Sequence, residues 1–382
     1  MTGNSNQRFR GSRLAATGGN LAVLALALAV CAPARAQSIP TAPGWHQLAN
    51  TRIASVCPNV PSLQGNGGCR NVTEAWGGGT FDTTRNRLLI WGGGHQDYLG
   101  NEVYALDLTD LTMKRLNNPS LNPPSSCEHS GSMPDGTPVS RHTYNHLAYI
   151  AHADRMFAFG GSGVPCGWML GDTWTLNLAT MQWQRMNPSG PSPEANYGRV
   201  AAYDPDTRKV YIHDAQYLYS YTFETNTYAR LSSAQSLGQS LTATVDTKRK
   251  LFVIVGEGRV YAYSLAAGSN YARQVWSTSG ATSAMQGGAI GLAYDPASDR
   301  IVAWDGGNTV YSLNPDTRVW TAITNSGGPG AALSNGTYGR FAYSPASGVF
   351  VVVNSVENNA YALRLSASSA VPPNPPTQVQ VN

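Results

Sequence analysis

Charge is scarce in this chain. Asp, Glu, Lys and Arg make up 13% of its 382 residues, and the formal excess of +4 comes from one end. Arg8, Arg10, Arg13 and Arg35 lie in a stretch that holds no acid; setting these four aside leaves 22 of the 26 basic residues against 22 acids. A chain so balanced has no basic field to draw nucleic acid or anionic lipid, so neither is an expected partner. Long apolar runs are lacking as well. The one at 21–32 is too short to cross a bilayer. With arginines before it and Ala34-Arg35-Ala36 after it, the run makes 1–36 an expected secretion signal. The protein is therefore expected to be periplasmic or secreted, with no membrane attachment once the signal is removed. Cysteine is sparse, and Cys31 falls in the signal. The other four, Cys57, Cys69, Cys127 and Cys166, can form disulfides after export. Cys57–Cys69 would close a Gly-rich loop and Cys127–Cys166 would tie two later loops, although four cysteines allow three pairings. Histidine is missing altogether after His213.

Glycine and proline, 40 and 23 residues, are plentiful, and they punctuate a repeat of roughly 45–65 residues. Its clearest copy reads Phe81-Asp82, a turn, then Leu88-Leu89-Ile90-Trp91-Gly92-Gly93-Gly94, then Asn101-Glu102-Val103-Tyr104, then Met113-Lys114-Arg115. That is a strand, a tight turn, an apolar strand ending in glycines, an alternating strand and a short outer strand. The aromatic-Asp turn returns at Tyr203-Asp204 and Tyr294-Asp295, and as Tyr343-Ser344. Six units begin near Ala75, Arg141, Tyr197, Gln239, Gly288 and Tyr338. The last lacks a fourth strand, while a spare strand, Trp45-His46-Gln47-Leu48, sits in the segment 37–74. Pairing the two would close a ring and remove an open sheet edge. The expected fold is all-β, a six-bladed β-propeller over 75–365 closed by an N-terminal strand, with 366–382 as a Pro-rich tail.

The glycine pairs followed by short polar-aromatic strands, Ile90-Trp91-Gly92-Gly93 with Asn101-Glu102-Val103-Tyr104 and Phe159-Gly160-Gly161 with Gly171-Asp172-Thr173-Trp174, resemble the Kelch family. The resemblance is strongest in the first two units and implies a Kelch-like propeller. Kelch propellers include enzymes, binding modules and scaffolds, so the fold does not decide function.

Four residues occupy equivalent places in the repeat. His95 and His213 follow the second strands of units one and three; His142 and Tyr197 open the innermost strands of units two and three. Those strand ends share a rim in a propeller, so the four side chains are expected to converge on one mouth. Arg141, Asn145 and His146 belong to an unusually polar inner strand, and Arg199 shares a strand face with Tyr197 at i, i+2. A metal is not expected: His142 and His146 start ~13 Å apart if both sit on one strand. No nucleotide loop or Ser-His-Asp motif stands out, and no cofactor is expected. The acids Asp97, Glu102, Glu194 and Asp214 are too scattered for paired-carboxylate glycoside hydrolysis.

A His, Tyr and Arg rim suits β-elimination on a uronic acid, in which a base takes the C5 proton, a cation or donor stabilises the charged carboxylate, and an acid frees the glycosidic oxygen. The layout is similar to that of secreted propeller polysaccharide lyases of the ulvan and rhamnosyl-glucuronate type. By position the family's two His fall on His95 and His142, its Tyr on Tyr197 and its Arg on His213. The resemblance implies catalytic work for His142, Tyr197, His95 and His213, and substrate contacts from Arg199, Arg141, Asn145 and His146. The expected activity is a polysaccharide lyase acting on an acidic polysaccharide or oligosaccharide. The alternatives are a secreted Kelch-type sugar epimerase or mutarotase, and a non-catalytic glycan- or protein-binding propeller using Trp76, Trp91, Trp168 and Tyr98.

Overall fold

In the computed structural model, residues 38–127 and 131–366 are described. The expected secretion signal, His129 and all but the start of the Pro-rich tail lie outside them.

Six small antiparallel sheets succeed one another along the chain as the blades of a propeller. Blade one consists of Gly78–Asp82, Arg87–Trp91, Tyr104–Asp107 and Thr112–Arg115. Blades two to five open with Arg141–His142, Val200–Asp204, Thr242–Asp246 and Gly291–Asp295, and blade six with Phe341–Ser344. Each innermost strand lies against the next, and the sixth returns to the first. Blade six takes its fourth strand from the N-terminal segment. Gly44–Gln47 runs antiparallel to Tyr361–Arg364, with Trp45 opposite Leu363 and His46 opposite Ala362.

The core is divided into six slabs, one between each pair of neighbouring blades. Side chains alternate faces along a strand, so a second strand buried on both sides feeds two slabs. Leu88 and Ile90 pack toward blade six, while Leu89 and Trp91 pack toward blade two. Each fully buried apolar side chain of this kind contributes ~1.5–3 kcal/mol, which is why these strands read as unbroken apolar text.

The recurring Asp also has a local cause. Asp82 accepts from the backbone N–H groups of Thr84 (3.1 Å) and Arg85 (3.0 Å), and Asp246 accepts from Arg249 N–H (3.0 Å). Such Asx turns satisfy backbone donors where strands one and two meet. Ser344 does the same in blade six, accepting from Ser347 N–H at 3.1 Å.

Blade two departs from the pattern. Its innermost strand is cut into Arg141–His142 and Leu147–Ile150. Thr143 causes part of the break, because its Oγ1 donates to Trp91 O (2.6 Å) and accepts from Gly78 N–H (2.7 Å), clamping the chain to blade one. Tyr144 then turns through φ 45°. The disulfides are Cys57–Cys69 and Cys127–Cys166, a state compatible with an extracellular or periplasmic protein.

Candidate active site

A cavity of about 340 Å³ opens where the innermost strands begin. It is lined by Trp76, His95, His142, Tyr144, Tyr197 and Tyr338, with Ser162, Gly167, Gln239 and Ser240 completing the wall. These residues come from the starts or second-strand ends of blades one, two, three, four and six, so no single blade builds the site.

The His95 wall depends on close backbone approach. Gly94 adopts φ +85°, and a Cβ there would lie 2.3 Å from Arg141 Cα. Its N–H donates to Ser140 Oγ (2.8 Å), whose hydroxyl donates to Tyr98 O (2.9 Å), pinning the turn that carries His95 and Asp97. On the far side, Gly167 at φ +73° makes room for the imidazole, since a Cβ would sit 2.2 Å from His95 Cδ2. Ser162 Oγ holds this loop by donating to Gly167 O at 2.9 Å, one residue from the Cys127–Cys166 bridge.

His142 is almost buried. Its Nε2 is 2.9 Å from Asp97 Oδ2, and its ring lies 4.9 Å from that of Trp76 and 5.8 Å from that of His95. One ligand atom from each of His95, Asp97 and His142 falls within 4.8 Å of the others. Tyr144 stands edge-on to His142 (6.0 Å), Tyr197 (6.2 Å) and Tyr338 (5.9 Å). Burial pushes the Tyr144 and Tyr338 phenols up, well out of reach of neutral pH, with neighbouring phenols adding to the effect on Tyr144. Tyr197 is 47% exposed and Trp76 37%. Trp76, His95, Tyr144 and Tyr338 all hold φ between 45° and 50°, a left-handed conformation uncommon for bulky residues and concentrated at functional sites. None of the lining residues is Lys or Arg.

The other residues singled out in the sequence lie elsewhere. His213 shares its repeat position with His95 but does not line the cavity. It ends the regular strand Lys209–His213, and its ring faces Tyr263 at 5.5 Å inside the protein, both nitrogens lacking a partner among the described residues. Burial lowers its pKa to about 4. Arg199 does not share a face with Tyr197, because 197–199 form a bend rather than a strand; it is 1% exposed, over the ring of Phe159 at 4.3 Å. Arg141 is fully buried and forks onto Asp172 at 2.6 and 3.2 Å. Asn145 accepts from Ala243 N–H of blade four at 2.9 Å, and His146 Nδ1 is 3.1 Å from Phe159 O within blade two, so both serve the scaffold. Burial, then Arg199, hold His146 well below the ordinary imidazole pKa. Trp91 and Tyr98 are buried in the slabs, while Trp168 is 60% exposed.

Residues that sequence reasoning missed are Asp97 as the partner of His142, and Tyr144 and Tyr338 as cavity walls. Tyr338-Gly339-Arg340 repeats Tyr197-Gly198-Arg199, and in both copies the Tyr reaches the cavity while the Arg is buried. That repetition was the available signal. No protein-family model and no curated protein matches the chain.

Proposed function

We propose that this is an exported Kelch-like propeller acting as a polysaccharide lyase, cleaving a uronic-acid-containing glycan by β-elimination. The reading is carried by the convergence of His95, the Asp97-bonded His142 and Tyr197 on one cavity with an exposed Trp76 at its edge. An exposed indole beside polar donors suits a sugar ring, which offers an apolar face and a hydroxyl rim. Tyr197, the most exposed phenol of the wall, serves as the proton-transfer group: its oxygen takes the C5 proton while its own hydroxyl proton passes to the departing glycosidic oxygen, as the C4–O bond breaks and the C4–C5 double bond forms. His95 and His142 line the same cavity and face the uronate carboxylate, where negative charge builds up. Arg141 is tied to Asp172 and Arg199 is buried over Phe159, so neither lines the cavity.

The test is ultraviolet absorbance of the unsaturated uronate across ulvan, alginate, arabinogalactan and glycosaminoglycans. Release of that chromophore, abolished in Tyr197→Phe, supports the reading. Glycan binding without the chromophore on any polymer at any pH tried overturns it in favour of a binding module.

A further inference from the structure

The cavity has a gap in its chemistry. β-Elimination needs positive charge beside the carboxylate, and among the described residues no Lys or Arg lines this wall. His95 and His142 line it, and Asp97, bonded to His142, adds a third group able to bind a cation. We infer that His95, Asp97 and His142 form a site for a divalent ion of the zinc class, an inference that deepens the lyase reading and rests on it for the role of the ion.

Three observations converge. The donor atoms already lie within 4.8 Å of one another, and the His142 Nε2 to Asp97 Oδ2 pair is at 2.9 Å. Tetrahedral bonds of ~2.0–2.2 Å put donors about 3.3–3.6 Å apart, so the exposed His95 has up to about 1.5 Å to travel, within reach of a side-chain rotation. Two imidazoles with one carboxylate favour zinc, manganese or another first-row ion over the all-oxygen shells of calcium and magnesium. The set is also built, because Gly94 and Gly167 give His95 its position and Trp76 covers the His142 ring. Three protein ligands leave positions open, and because His95 and His142 line the cavity a carboxylate oxygen of the substrate can enter as a ligand. The ion replaces the proton between His142 and Asp97 and neutralises the uronate, while Tyr197 keeps its proton-transfer role.

The experiment uses the full chain, stripped with a chelator and titrated with Zn2+, Mn2+ and Ca2+. Calorimetry and the visible spectrum of added Co2+ report binding without any substrate. One ion of the zinc class per chain is expected, with affinity falling at least ~10-fold in Asp97→Asn and in His95→Ala and unchanged in Tyr197→Phe. Absence of binding, or binding that survives both ligand changes together, overturns the site. The two readings fail separately. An ion bound by these residues in a protein that never releases the unsaturated chromophore sinks the lyase reading and leaves the site. Lyase turnover unaffected by chelation, in a protein that binds no ion, sinks the site and leaves the lyase.

Discussion

His213 allows a sharp test of the packing. Its imidazole is fully buried against Tyr263 with both nitrogens unpartnered among the described residues, and burial moves its pKa from 6.5 to about 4. Between those values the unfolded chain binds a proton that the folded one refuses, so stability is complete above 6.5 and falls as pH drops toward 4. The full displacement corresponds to about 3 kcal/mol, of which about 2.5 kcal/mol is already lost near pH 4.5. His146, held low by burial, works in the same direction, so the wild type destabilises further than His213 alone requires. The assay is urea unfolding of wild type, His213→Phe and His213→Leu at about pH 7.5 and about pH 4.5. Comparing each protein with itself cancels the cost of repacking. The loss on acidification should be smaller by about 2.5 kcal/mol in both variants. An unchanged loss in both would refute the claim that this imidazole is buried neutral.

Other outcomes follow from the site and its supports. Tyr197→Phe should lower turnover at least ~100-fold while leaving the melting temperature unchanged, because the hydroxyl is exposed; rate and calorimetry on one preparation check it. Gly167→Ala should keep the fold but displace the His95 imidazole, weakening Co2+ and glycan binding together, as titration would show. Arg199→Met removes a buried cation without a hydrogen-bond partner among the described residues, so its urea midpoint should match or exceed that of wild type, by up to ~3 kcal/mol in stability. Removing the Cys127–Cys166 bridge, which spans 39 residues, should cost up to about 4 kcal/mol and lower affinity for site ligands, read by calorimetry.

The fold was legible because each blade repeats its own reason for forming. The aromatic-Asp turn marks a backbone that needs an acceptor, the doubly buried second strand writes an apolar run, and Trp45 stands where a missing outer strand is wanted. The site was legible only in part. His95 and His213 look equivalent in the text, yet Gly93 and Gly94 swing His95 out over the cavity, whereas His213 continues a regular strand whose alternation drives it inward. The i, i+2 rule placed Tyr197 with Arg199, but the chain has not become a strand there. The ~13 Å reckoning for His142 and His146 took one unbroken strand, whereas Thr143 divides it in blade two. Asp97 was set aside among scattered acids because its nearness to His142 crosses two blades, a relation no local pattern encodes.

The last blade joins residues far apart in the chain. Gln47 Nε2 donates to Tyr361 Oη across a separation of 314 residues, and the strand pair around it is the seam of the ring. Blade six cannot be finished until the remotest parts of the described chain meet, and the cavity at the mouth draws on blades one and six together. Long-range closure of this kind is slow because its loop entropy precedes its reward. A chain whose blades one and six have not yet met therefore holds no assembled site. In pulsed hydrogen exchange the amides of Gly44–Gln47 and Tyr361–Arg364 should gain protection together, in step with the appearance of ligand binding.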